Sequence, residues 1–113
     1  MGSNVWVKSG TVRNMYAEPG TTTTATSIVC YKDSPYTTFQ ANVVGTGAVT
    51  ATVVIDVSND GTYWCSTVMG TITLSGTTSS TDGFTSAAPW KFVRARVTAI
   101  SGTGATVQVY MGV

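Results

Sequence analysis

From residue 27 to the C-terminus, apolar and polar positions alternate with a period of two, the pattern of strands that bury one face. Residues 37–44 place Phe39, Ala41 and Val43 on one side and Thr38, Gln40 and Asn42 on the other. Residues 49–57 set Val49, Ala51, Val53, Ile55 and Val57 opposite Thr50, Thr52 and Asp56. The same rhythm runs through residues 27–32, 63–74, 90–100 and 105–113, the last with Val107, Val109, Met111 and Val113 on one side. Upstream, residues 5–12 read as a short strand, Glu18-Pro19-Gly20 as a turn, and Thr21 to Thr24 as an extended arm or loop. No stretch repeats apolar residues at i, i+3 and i+4 for long enough to make a helix. The pattern predicts an all-β fold, an antiparallel β-sandwich of jelly-roll or Ig-like type with about seven to eight strands. It predicts one domain, in which residues 1–26 form an N-terminal strand and Thr-rich arm or loop and residues 27–113 form the sandwich body.

Glycine punctuates the pattern. Gly45-Thr46-Gly47-Ala48 and Gly102-Thr103-Gly104-Ala105 each join two alternating runs, and the strands that follow them are alike. Glycine supplies the positive φ of tight turns, so both phrases predict hairpins, and their likeness raises an internal duplication. Ser58-Asn59-Asp60-Gly61-Thr62-Tyr63-Trp64 predicts a third hairpin, with Trp64 entering the next strand and covering one end of the core.

Composition changes this picture in one respect. Hydrophobic residues make up 42% of the 113 residues, enough for a core, but charged residues only 10%, against roughly 25% in an average soluble domain. The surface is therefore covered by Thr, Ser and Gly, which gives copies little mutual repulsion and suits a protein packed against neighbours. Six Lys and Arg against five Asp and Glu leave a net charge of +1. That balance offers no basic patch, and the chain is expected to bind no nucleic acid. No apolar run reaches the ~20 residues of a membrane helix, and Met1 to Lys8 has neither the basic region nor the apolar core of a signal peptide. Synthesis in the cytoplasm is the expectation, and there the two cysteines, Cys30 and Cys65, are expected as buried free thiols.

The side chains hold little catalytic equipment. There is no histidine, which removes the usual general base, the Ser-His-Asp and Cys-His arrangements and the commonest metal ligand. Five scattered carboxylates are poor material for a glycosidase pair, and two cysteines without histidine are too few for a zinc site. No phosphate-binding loop or dinucleotide fingerprint is present. The expectation is a protein that is not an enzyme, with no catalytic residues, no cofactor and no metal.

Two surfaces are candidates for binding. In the stretch from Trp90 to Val97, Val93, Ala95 and Val97 share one face while Trp90, Phe92, Arg94 and Arg96 share the other. Aromatic and arginine side chains on a sheet are enriched at protein interfaces. The same arginines could instead pair with a local carboxylate such as Asp56. The second surface is the Asn59, Asp60, Tyr63 and Trp64 turn, where aromatic faces could stack on a sugar.

Longer phrases carry a resemblance. Val53-Val54-Ile55-Asp56-Val57, the turn from Ser58 to Thr62 with Trp64, and Gly70-Thr71-Ile72-Thr73-Leu74-Ser75-Gly76-Thr77 are three of them. Thr81-Asp82-Gly83-Phe84, the run from Pro89 to Val97 and Gly102-Thr103-Gly104-Ala105 continue the series. Together they resemble small β-sandwich virion proteins of tailed bacteriophages, over a little more than half the chain. The resemblance implies a capsid cement or decoration protein on the virion surface. Such a protein binds the major capsid protein lattice and stabilises it, as a homodimer or homotrimer. The alternatives it leaves are a carbohydrate-binding host-recognition module of a tail or head fibre and a tail or connector component. The Ser-Asn-Asp-Gly-Thr-x-Trp phrase is also similar to a hairpin of discoidin-type carbohydrate-binding domains.

Overall fold

The inward-facing residues read from the alternation do form one core, but the strands that carry them are fewer and longer than the pattern predicts. The computed structural model describes residues 5–113, so the first four residues of the Met1–Lys8 stretch lie outside it. Among the described residues there are six strands and no helix. They are β1 (Val5–Trp6), β2 (Val12–Asn14), β3 (Cys30–Tyr31), β4 (Tyr36–Ser58), β5 (Gly70–Ala87) and β6 (Phe92–Gly112). All belong to one hydrogen-bonded sheet in the order β1-β3-β6-β4-β5, with β2 also paired to β6. The long strands pair antiparallel, and β1 runs parallel to β3.

At 23 residues, β4 drawn out straight would reach roughly 75 Å. The molecule measures 39 × 27 × 25 Å along its principal axes, so the long strands must fold back on themselves. The place is marked by breaks in register: between Val44 and Ala48 where β4 meets β5, and between Val44, Thr46 and Thr50 where β4 meets β6. Backbone in the left-handed region clusters there, with φ of 71° at Gly47, 122° at Gly102, 66° at Gly104 and 66° at Thr78 on β5. A β-branched residue rarely adopts that conformation, and Thr78 therefore marks real local constraint.

This corrects the reading of the two Gly-Thr-Gly-Ala phrases. Neither is a hairpin turn. Each is a bulge inside a continuous strand, and the two lie opposite one another, with Thr46 paired to Thr103. Their likeness reflects two sides of one crease rather than a duplicated hairpin. Bulges bend a strand and increase its twist while pairing resumes beyond them, which is why the expected seven to eight strands become six.

Inside the crease, residues from both halves of the long strands join in one cluster. Phe39, Ala41 and Val43 come from the first half of β4, and Val49, Ala51, Val53, Ile55 and Val57 from the second. Val93, Ala95 and Val97, then Ala105, Val107, Val109 and Met111, come from the two halves of β6. β5 adds Ile72 and Leu74, and Phe84 packs its ring 5.5 Å from that of Phe39. Each fully buried Val, Leu, Ile, Met or Phe side chain among them contributes about 1.5–3 kcal/mol.

The N-terminal segment is laid along this body. The strand read over residues 5–12 is two short ones, separated by a turn in which Gly10 has a φ of 88°. Val7, Met15 and Tyr16 enter the core. Thr21 and Thr26 each form a single bridge to β6, at Val107 and Arg96. The Tyr16 hydroxyl donates to Ala25 O at 2.6 Å, and burial pushes its pKa up to about 12. The Thr-rich stretch from residue 21 to 26 thus sits against its own sheet.

Candidate interface on the outer face of the folded sheet

The second half of β4 is buried on both sides, from Val53 through Ser58. Its inner positions face the core. Its outer positions, Val54, Asp56 and Ser58, stand opposite Arg96, Arg94 and Phe92 of β6. Asp56 is 3% exposed, and a carboxylate so placed needs partners. Arg94 Nε donates to Asp56 Oδ2 at 3.0 Å; Arg96 Nε reaches the same oxygen and its Nη2 reaches Oδ1, each at 3.0 Å. Burial alone would raise the Asp56 carboxyl. Hydrogen bonds from Arg96 and Arg94, with their charges, more than reverse this and hold it below the usual carboxylate range.

Aromatic rings flank this triad. The Arg94 guanidinium lies 4.2 Å from the centre of the Trp64 ring, a cation–π contact. Phe92 packs its ring 5.3 Å from that of Tyr31. A Cβ added to Gly61 would come within 3.2 Å of the Phe92 ring and push it slightly aside, at a φ of +74° that side chains rarely adopt. Trp6 is paired next to Tyr31 at the far edge and is 58% exposed. Phe92, Arg94 and Arg96 therefore do share a face, as the alternation predicts, and Trp6 and Tyr31 extend it. Trp90 departs from that prediction: it precedes β6 and packs, half-buried, against the core cluster.

The turn after β4 is not the tight hairpin its sequence suggests. Residues 59–69 form an irregular connection, and the next strand begins only at Gly70. Asp60 Oδ1 accepts from the backbone amides of Thr62 and Tyr63, both at 2.9 Å, and sits 2.8 Å from the Ser58 hydroxyl. Those amides, then that hydroxyl, lower the Asp60 pKa. The carboxylate spends its acceptor capacity on its own loop, as Asp does in Asx turns. Trp64 lies in this connection, half-buried against Arg94 on the outer face, and does not cap the core from a strand. Asn59 is exposed and lines, with Pro89 and Trp90, a shallow cavity of about 240 Å³. Tyr63 projects from the loop at 80% exposure. Asn59, Tyr63 and Trp64 thus meet different surroundings: the shallow cavity, solvent and the Arg94 guanidinium.

Two further groups bear on chemistry. Both cysteines are free thiols: Cys30 is buried, and burial pushes it up to about 11, while Cys65 is half-buried in the 59–69 connection rather than in a strand. Lys32, at the end of the alternating run 27–32, is fully buried. Its Nζ donates to Ser34 O at 2.9 Å and to Ala88 O at 2.7 Å, tying two loops together. Burial, with repulsion from Lys91, lowers its pKa. Among the described residues, no three His, Cys, Asp or Glu side chains gather where they could hold a metal ion.

Comparisons with known proteins identify no family for the chain. No family profile matches the chain, and no curated protein does. Among solved structures, it is similar to the pre-peptidase C-terminal domain of collagenase from Bacillus anthracis. That likeness has a TM-score of 0.39 at 10% identity, and spans 99% of this chain and 95% of the other.

Proposed function

We propose that the chain is a non-enzymatic structural component of a virion, a cement or decoration protein bound to the major capsid protein lattice. The observation that carries this reading is the outer-face strip of Trp6, Tyr31, Phe92, Arg94 and Arg96. The two guanidiniums are held there by a carboxylate beneath them, and strand pairing sets the rings beside them. Anchors of this type dominate binding energy at protein interfaces. The low charge of the chain and the sequence resemblance to phage virion proteins point the same way. Symmetry would multiply a modest contribution from each copy, whether it binds as a dimer or a trimer.

The test is to add purified protein to capsids that lack it and to measure bound copies and the temperature of capsid disruption. Saturation near one copy per coat subunit, with a higher disruption temperature, is expected. Trp6→Ala is expected to weaken binding roughly tenfold or more without altering the fold. Absence of binding would end this reading.

One observation favours a second reading, a host-recognition module that contacts surface carbohydrate. Tyr63 is 80% exposed at the tip of the 59–69 connection, where its ring is free to stack on a sugar. A glycan array would then give signals that Tyr63→Ala removes.

A further inference from the structure

The other half of the folded sheet has an outer face of a different kind. There Gln40 pairs with Tyr110, Asn42 with Gln108 and Val44 with Thr106. An open groove of about 460 Å³ runs over Asn42, Val44, Thr106, Gln108 and Tyr110, and Pro19 contributes to its lining. None of the lining residues is charged.

Gln108, which lines this groove, carries an unmet donor. Gln108 is 5% exposed. Its Oε1 accepts from the amides of Tyr16 at 3.3 Å and Val109 at 3.1 Å. Two N–H donors on one atom fix which end of the amide is oxygen. The other end, Nε2, is buried and has no partner among the described residues. Buried donors are nearly always satisfied, so an orphan on a groove wants an explanation. Its cross-strand neighbour has a similar bias: Asn42 Oδ1 accepts from Gln40 Nε2 at 3.2 Å, which leaves Asn42 its own donor to offer.

We infer that this groove binds a neutral glycan through an N-acetylated sugar. The acetamido carbonyl accepts from the amides of Gln108 and Asn42, and the apolar face of the sugar ring lies against Tyr110. The lack of charge in the lining disfavours an ionic ligand, which would be desolvated without a partner. A peptide adds to a sheet through free backbone groups at an edge, but β4 and β6 are each paired on both sides here. Recognition has to come from side chains, and those present are amides and an aromatic ring. Because Nε2 is sealed from water in the unliganded chain, binding requires a local shift that opens it to the groove. This site is separate from Tyr63 and from the aromatic–arginine strip, and it stands or falls independently of the capsid reading.

The experiment is a titration of isotope-labelled protein with N-acetylglucosamine, N-acetylgalactosamine and glucose, followed in amide NMR spectra. One of the two acetamido sugars is expected to give saturable shifts with a Kd of roughly millimolar order. The shifts should centre on the side-chain amides of Gln108 and Asn42 and the backbone near Thr106. Glucose, lacking the carbonyl, is expected to bind at least about tenfold more weakly. Gln108→Glu keeps the acceptor for Tyr16 and Val109 but removes the donor, and is expected to abolish the shifts. Asn42→Ala, at a half-buried surface position, supplies the same test should Gln108→Glu fail to fold. Absence of saturable shifts with both acetamido sugars, or shifts centred on Tyr63 or Trp64, overturns the proposal. So does equal binding of glucose.

Discussion

The outer faces around Asp56 and around Gln108 are made by the same two strands, on either side of one crease, yet they solve the burial of polar groups in opposite ways. On the Asp56 side the buried carboxylate meets two guanidiniums through three hydrogen bonds of 3.0 Å, and a tryptophan ring covers one of the cations. On the Gln108 side a buried amide is satisfied at its oxygen and left open at its nitrogen. A closed network rigidifies, whereas an incomplete one leaves a group available to something outside the chain. The first face offers shape and rings to a partner; the second offers donors.

The largest break in this contrast should come from Asp56→Ala, which strands two cations over a half-covered face. A loss of about 3 kcal/mol is expected in urea unfolding, at the low end for a buried pair because the Arg96 side chain remains 42% exposed. Asp56 also sets an acid dependence. Its folded pKa lies below the unfolded value near 3.9, so its contribution is fully present above that value. It is lost as pH falls through the folded pKa. Asp56→Asn should flatten that acid limb. Should Asp56→Ala cost no more than Gln108→Leu, expected at about 1 kcal/mol, the two faces do not differ as described.

Next in size is Gly102→Ala at the crease that separates the faces. A Cβ there would stand 2.8 Å from Ala48 O at a φ of +122°, and a loss of about 2 kcal/mol is expected from strain. Trp64→Leu removes the ring over Arg94 and is expected to cost about 1 kcal/mol, with a matching change in tryptophan fluorescence. Asn42→Thr, on the amide face, should stay within about 0.5 kcal/mol. That near-neutral result would sharpen the view that Asn42 is there to contact a ligand.

Much of this was legible in the sequence, and the failures have a common cause. Period two identified Phe39, Ala41, Val53, Ile55, Val93 and Val107 as inward-facing, because alternation reports directly on which face is buried. It also placed Arg94 and Arg96 together and raised Asp56 as their partner. What it could not do was tell a turn from a bulge. Gly47, Gly102 and Gly104 need a positive φ in either case, and only long-range pairing decides between them. Asn59-Asp60-Gly61 misled in the same way: the local turn chemistry is real, but it opens a longer connection. Lys32 and Gln108 were missed because a buried polar group looks, in sequence, like any other polar position in an alternating run.

The crease also governs how the chain can reach this structure. The first half of β4 pairs with the second half of β6, and the second half of β4 with the first half of β6, so Ser58 meets Phe92 while Thr38 meets Gly112. The nearer pair closes the shorter loop, and closure entropy favours it first. The β4–β5 pair closes a shorter loop still, at Ile55–Gly70, so assembly would start there, add the Ser58–Phe92 end and zip toward the crease, where the register has to be reset before pairing can continue to the chain ends. Topologies built on such distant contacts fold slowly. The glycines of the crease are the step at which a slipped register would be caught or locked in.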